Sequence, residues 1–294
     1  MTTCFFVISP KIIIFASRMD YSINVRGRLV DLSQPQVMGI LNATPDSFFA
    51  GSRKQTEEEI AQRALQIVAE GGSIIDVGAF STRPGASLVS EEEETDRLQR
   101  ALAVVRNVLP DVMISVDTYR SRVARRCVEE WGADIINDVS EGGKTGIVNT
   151  PLDVRESMFE TVAELGVPYI LMSVQPTIHD MLIHWSEEVN RLHALGVKDI
   201  ILDPGFGFGK TVEENYAVMA ELEKLQVMRL PLLVGVSRKS MIWKVLDGTP
   251  DTALNGTTVL HTLSLQKGAS ILRVHDVREA VETVRLMQKL NASK

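Results

Sequence analysis

Three branched apolar residues, Ile200-Ile201-Leu202, run straight into a carboxylate, Asp203, and then into Pro204-Gly205-Phe206-Gly207-Phe208-Gly209-Lys210. Such a run predicts a strand buried on both faces, and Pro with alternating Gly ends regular structure there. The pattern recurs along the chain. Short apolar runs at 37–41, 73–77, 112–116, 134–136, 168–172, 199–202, 231–234 and 270–273 each predict a buried strand. Between them apolar positions recur at helical spacing. Helices are predicted to about 70 and 108, then over 120–131, 154–165, 179–195, 212–226, 240–246 and 252–267, with a last one ending near 289. Thr56 with Glu59, and Ser90 with Glu93, read as capping boxes opening the first two. Ahead of all these, Arg26-Gly27-Arg28 lies between short alternating segments in 24–31, which predicts a small β-hairpin.

Eight buried strands, each followed by a helical period without a Ser/Pro-rich linker, predict a single-domain (β/α)8 barrel. A doubly wound open sheet is the alternative, although it more often uses fewer strands. Residues 1–18 do not fit this rhythm. Ser9-Pro10-Lys11 splits them into apolar pieces far too short for a membrane span, and nothing before Lys11 is basic, as a secretory signal requires. The mixed sequence opens at Met19. The expectation is an N-terminal extension over 1–18 outside the fold, and a barrel over 19–294.

With 294 residues and 45% hydrophobic content the chain can bury a large core. A net charge of −7 with no Lys/Arg block argues against nucleic acid or a membrane surface as partner. Cys4 and Cys127 form no C-x-x-C pair, which suits a reducing, cytoplasmic setting.

In a barrel, ring closure gathers whatever stands at the C-terminal strand ends. Here those residues are Asn42, Asp117, Asn137, Asp203, Lys239, Arg273 and His275. Singly, each reads equally well as a loop cap. Together, Asp117, Asn137, Asp203 and Lys239 suit a flat heterocycle with an amidine-like donor edge beside a carbonyl. Asn42, Arg83, Arg273 and His275 form an anion-side set, with room for Mg2+ among phosphate oxygens. Other chemistries fall away. Pro204 stands where a P-loop needs its opening glycine, and the Gly spacing is not that of a dinucleotide fingerprint. His179 and His184 diverge on a helix and make no zinc pair. A Schiff-base role for Lys239 stays open.

The strings Leu41-Asn42-Ala43-Thr44-Pro45-Asp46-Ser47-Phe48, Asp76-Val77-Gly78, Ser81-Thr82-Arg83-Pro84-Gly85, Val116-Asp117-Thr118, Ile136-Asn137-Asp138, Asp203 through Lys210, Ser237-Arg238-Lys239-Ser240 and Arg273-Val274-His275-Asp276 resemble dihydropteroate synthase, in the family's order. The resemblance spans about 36–290. It implies a transferase of folate biosynthesis that joins 6-hydroxymethyl-7,8-dihydropterin diphosphate to 4-aminobenzoate and releases pyrophosphate. It also implies a cytoplasmic homodimer that uses Mg2+ and is a sulfonamide target. By resemblance Asp117, Asn137, Asp203 and Lys239 hold the pterin, and Arg273 and His275 hold the diphosphate with Asn42 and Mg2+. Phe48, Thr82, Arg83, Pro84, Phe208 and Ser240 frame the 4-aminobenzoate, while Asp117, Lys239, Arg273 and His275 carry the chemistry. One departure stands out: the family usually shows His-Met-x-Gly after the fifth strand, and this chain has Ser173-Val174-Gln175-Pro176. A pterin-binding methyltransferase would share the Asp-Asn-Asp pocket but has no use for the Thr82-Arg83-Pro84-Gly85 loop.

Overall fold

The computed structural model describes residues 21–43, 53–80, 89–140 and 157–293. Two antiparallel strands, β1 (Ser22–Val25) and β2 (Arg28–Asp31), precede eight parallel ones: β3 (Gln36–Asn42), β4 (Ile74–Gly78), β5 (Met113–Asp117), β6 (Ile135–Asp138), β7 (Tyr169–Met172), β8 (Ile200–Asp203), β9 (Leu233–Val234) and β10 (Ile271–Val274). Between and after them lie α1 (Arg53–Ala69), α2 (Glu91–Val108), α3 (Ser121–Glu129), α4 (Met158–Leu165), α5 (Ile178–Ala194), α6 (Val212–Ala220), α7 (Ser240–Trp243), α8 (Leu254–Gln266) and α9 (Val277–Asn291). The sheet runs β8-β7-β6-β5-β4-β3-β10-β9. A parallel bridge between Leu202 and Leu232 joins its two ends, so the predicted (β/α)8 barrel is what forms.

Strand side chains alternate faces with period two, and the alternation separates two cores. Val37, Ile75, Val77, Val116, Ile136, Leu171, Leu202, Val234 and Leu272 face the helices. Met38, Ile74, Ile135, Ile170, Ile201, Leu233 and Ile271 face inward and form the barrel floor. Ile23, Val25 and Leu32 of the hairpin pack against that floor and close the barrel's N-terminal end. The hairpin turns on Arg26 and Gly27, both at positive φ (51° and 77°), the geometry of a two-residue type I′ turn. Arg26 clasps Asp134, its Nη2 donating to Oδ2 at 2.9 Å. Arg106 donates to the same Oδ2 at 2.7 Å, and the Ile114 amide at 2.8 Å.

Ser90 caps α2 as its sequence predicts, accepting from the Glu93 amide at 3.1 Å. Helix α1 begins at Arg53, three residues ahead of Thr56, where the sequence placed its start. The helix predicted over 212–226 divides: α6 stops at Ala220, and Leu222–Met228 tightens into a 3-10 segment. No Gly or Pro marks that break, and Leu222 and Leu225 of the 3-10 segment are both buried. The hairpin begins at Ser22, and residues 1–18 lie outside the described residues.

Candidate active site

The rule that builds the floor also builds the site. Two residues beyond most of the floor positions, the inward face turns polar or small, Ile40 after Met38 and Met172 after Ile170 being the exceptions: Ile74 is followed by Asp76 and Gly78, Met113 by Ser115 and Asp117, Ile135 by Asn137. In the same way Ile201 is followed by Asp203, Leu233 by Gly235 and Ile271 by Arg273. Strand register sets Asn42 beside Gly78, Gly78 beside Asp117, and Asp117 beside Asn137.

At the centre lies a carboxylate absent from the predicted site. Asp76 is fully buried. Its Oδ1 accepts from Ser115 Oγ at 2.6 Å and its Oδ2 from Arg273 Nε at 2.6 Å, while Asn137 Nδ2 approaches at 3.3 Å. Arg273 Nη2 donates to Asp117 Oδ2, also at 2.6 Å. One guanidinium thus binds two carboxylates, which orients all three groups. Burial works against the Arg273 charge, but Asp76 and Asp117 outweigh it and hold its pKa up. Burial pushes the Asp117 carboxyl up to about 7, and the negative charge of Asp76 adds to the rise while Arg273 opposes it. Asp117 Oδ1 and Asn137 Oδ1 are buried acceptors with no hydrogen-bond partner among the described residues. The signal for Asp76 was legible as the lone acid inside the apolar run Ile74-Ile75-Asp76-Val77.

Facing this group is the end of β8. Asp203 is buried, and its Oδ1 accepts from the Gly205 amide at 2.8 Å. Burial raises its pKa, against the pull of Lys239. Burial likewise pushes the Lys239 ammonium down to about 8, against the pull of Asp203. Lys239 donates to the Phe206 carbonyl, and its Nζ stands 4.6 Å from the Phe208 ring centroid. A Cβ on Gly235 would stand 3.8 Å from both the Arg273 Cβ and the Lys239 Nζ. Gly235 thus lies between the stem of Arg273 and the Lys239 ammonium.

Around the rim, His275 is half-buried, its amide donating to Ser237 Oγ at 3.1 Å and its carbonyl accepting from Arg63 at 2.7 Å. Arg238 and Asp276 pair through two bonds of 2.8 and 2.7 Å. Ser240 opens α7, half-buried. Asn42, Asp117, Asn137, Asp203, Phe208, Lys239, Ser240, Arg273 and His275 thus share one end of the barrel. Phe48, Thr82, Arg83 and Pro84 lie outside the described residues. The two sets drawn from the sequence, pterin side and anion side, are not separate in space. Arg273 stands between them, bonded to Asp117.

The model of the family described as pterin binding enzyme matches residues 38–275. The dihydropteroate synthase of Escherichia coli K12 is 38% identical over 92% of this chain and 96% of its own length. That of Bacillus subtilis is 39% identical over 86% of this chain and 88% of its own. The chain belongs to the dihydropteroate synthase family. Among solved structures, the Yersinia pestis dihydropteroate synthase in a sulfonamide drug complex superposes with a TM-score of 0.81, at 35% identity over 93% of this chain and 100% of that one. The Xanthomonas albilineans dihydropteroate synthase with 4-aminobenzoic acid gives 0.80, at 33% identity over 93% and 99%. Dihydropteroate synthase motifs therefore coincide here with the strand ends that the barrel gathers. The departure from the usual family string keeps an ordered place: the Ser173 amide donates to the Asp203 carbonyl at 2.8 Å, and the Gln175 amide to Ser173 Oγ at 3.2 Å.

Proposed function

We infer that this chain is the transferase that joins 6-hydroxymethyl-7,8-dihydropterin diphosphate to 4-aminobenzoate, releasing pyrophosphate and giving 7,8-dihydropteroate. The observation that carries the reading is the pair of acceptors orphaned among the described residues, Asp117 Oδ1 and Asn137 Oδ1, buried at the same barrel end as the Asp203 carboxylate. A buried acceptor without a donor costs about 1–3 kcal/mol, and a pterin supplies the N–H donors that these oxygens lack. Asp203 accepts from the amino-pyrimidine edge, while Lys239 donates to the neighbouring carbonyl and Phe208 covers the ring face.

In the mechanism this supports, the C–O bond to the diphosphate breaks first. Asp117 stabilises the positive charge that develops on the pterin, and Arg273 and His275 receive the leaving anion. Nη1 of Arg273 has no hydrogen-bond partner among the described residues, whereas Nε and Nη2 are held by Asp76 and Asp117. That nitrogen is the one presented to the anion. The amine of 4-aminobenzoate then attacks the pterin methylene carbon and gives up a proton to water, beside Phe208 and Ser240; the resemblance assigns the same framing role to Phe48, Thr82, Arg83 and Pro84, which lie outside the described residues.

Mg2+ fits this site as a guest of the diphosphate. Among the described residues no three His, Cys, Asp or Glu side chains converge as a metal cage. The Asn42 amide oxygen and the Asp117 carboxylate nonetheless flank Gly78, so oxygen ligands line one corner. Mg2+ commonly takes one or two protein oxygens and completes its shell with phosphate and water. Bound there through Asn42, it would add charge stabilisation to the leaving pyrophosphate.

A homodimer belongs to the same reading, supported by the exposed apolar residues Val259 and Leu263 of α8 and Leu286 and Leu290 of α9. So does a cytoplasmic location, supported by the buried free thiol of Cys127. The drug-bound Yersinia pestis relative supports reading this site as a sulfonamide target. The deciding experiment incubates the protein with pterin diphosphate and 4-aminobenzoate, with Mg2+ and with a chelator. Mg2+-dependent release of pyrophosphate together with dihydropteroate is the expected result. No condensation product under either condition overturns the reading.

A further inference from the structure

The glycine-rich loop after β8 holds one charge that the reaction above does not use. Lys210 directs its ammonium inward, where it donates to three backbone carbonyls: Ser173 at 3.1 Å, Gly205 at 3.2 Å and Phe208 at 3.3 Å. Two of these oxygens belong to its own loop, and the third to the end of β7. An ammonium has three N–H donors, and here all three point at carbonyls. Such convergence of backbone oxygens is what a bound cation ordinarily attracts.

The rest of the loop is built around this contact. Gly205 lies at φ +63°, and a Cβ there would stand 2.1 Å from the Ser173 carbonyl oxygen. Only glycine lets the two backbones come so close. From that close approach the Gly205 amide reaches the Asp203 carboxylate at 2.8 Å. The Phe206 carbonyl meets Lys239 one residue further on. The Phe208 amide returns to the Gly205 carbonyl at 3.1 Å, and Gly207 is pinned from behind by Asn215 Oδ1 at 2.7 Å. Lys210 thus ties the ends of two strands together at the point where both pterin-side groups of the loop are presented. It does so across the string Ser173-Val174-Gln175-Pro176, where the sequence leaves the family's usual pattern.

We propose that Lys210 is a positioning residue of the transfer reaction: its ammonium occupies a three-carbonyl cage and locks the β8 loop onto the end of β7, setting Asp203 and Lys239 for the pterin. The proposal rests on the pterin-transfer reading above. Removing the ammonium leaves three carbonyls without their charged donor and frees the loop to part from β7.

The test uses Lys210→Met, which keeps the apolar stem, and Lys210→Ala, which opens the cage. Pterin binding is measured by calorimetry beside a thermal melt. Lys210→Met should bind the pterin roughly ten- to a hundredfold more weakly, the scale of lost charge-assisted hydrogen bonds. For Lys210→Ala, ethylammonium chloride should restore much of the affinity. Tetramethylammonium chloride at equal ionic strength should not, because it carries charge but no N–H donor. Pterin affinity of Lys210→Met within about threefold of wild type would overturn the proposal. So would a loss in Lys210→Ala that both salts, or neither, restore. If Lys210→Ala does not fold, the affinity of Lys210→Met decides alone. A wild-type chain that itself fails to bind the pterin would instead sink the functional reading and leave the cage as a structural fact.

Discussion

Asp76 offers the sharpest test of how the site is held. Replacing it with Asn keeps the shape and an acceptor for Ser115 Oγ, now 2.6 Å from Oδ1. It removes the negative charge, and an amide nitrogen placed on the other side would meet the Arg273 Nε donor, now 2.6 Å from Oδ2. Stripping a buried ion of its only partner costs about 3–5 kcal/mol. Arg273 keeps Asp117 at 2.6 Å, so the loss is nearer one charge-assisted hydrogen bond, about 1.5–3 kcal/mol. At about 2–4 °C per kcal/mol, a mid-range loss lowers Tm by about 4–8 °C. Function should suffer more than stability. Asn137 loses the carboxylate that orients its amide, and Arg273 is drawn towards Asp117. Pterin affinity should then fall roughly tenfold or more. The negative charge of Asp76 is one cause that raises the Asp117 carboxyl to about 7. Removing it should let Asp117 ionise at lower pH, moving the acid limb of the kcat/KM profile downwards. Scanning calorimetry, titration with pterin and a pH–rate profile read the three effects. A Tm within about 1 °C of wild type, with unchanged pterin affinity, would show that Asp76 does not hold Arg273, and the account of the central cluster would be wrong.

Asp203→Asn should leave the fold intact and weaken pterin binding by about 2–5 kcal/mol, since it leaves the ligand's donors without a charged acceptor; calorimetry finding affinity within tenfold of wild type removes Asp203 from the pocket. Lys239 has its pKa depressed from 10.5 to about 8. If its ammonium binds substrate, kcat/KM should fall above about pH 8, and a limb that stays flat to pH 10 argues against that role. The sign for stability runs the other way: between about 8 and 10.5 the unfolded chain binds the extra proton, so folding stability gains as pH rises, which denaturant titrations across that window would register. A chain beginning at Met19 should melt with the full-length protein, because the hairpin that plugs the floor starts at Ser22; a Tm loss of several degrees contradicts the extension reading.

Much of this protein was legible along its length. Branched apolar runs, each broken by a polar residue and followed by helical spacing, are enough to predict eight βα units. Residues at the ends of those runs had to meet once the ring closed. Asn42, Asp117, Asn137, Asp203, Lys239, Arg273 and His275 therefore stood out without any contact being known. The Ser90 cap was readable for the same reason, since it depends on residues three apart.

Which face of each strand turned inward was a tertiary decision. Strands such as Val37-Met38-Gly39-Ile40 are apolar on both sides, so their alternation carries no label for the barrel axis, and only closure assigned Met38 to the floor and Val37 to the helices. The same closure put Asp76 of β4, Asp117 of β5 and Arg273 of β10 within reach of one another. It thereby brought into contact the two residue sets that the sequence reading had listed apart. No local pattern encodes that contact, because the bond from Arg273 to Asp76 spans 197 positions along the chain. Side-chain charges separated so far are paired by strand register and barrel curvature, and both exist only in the folded ring.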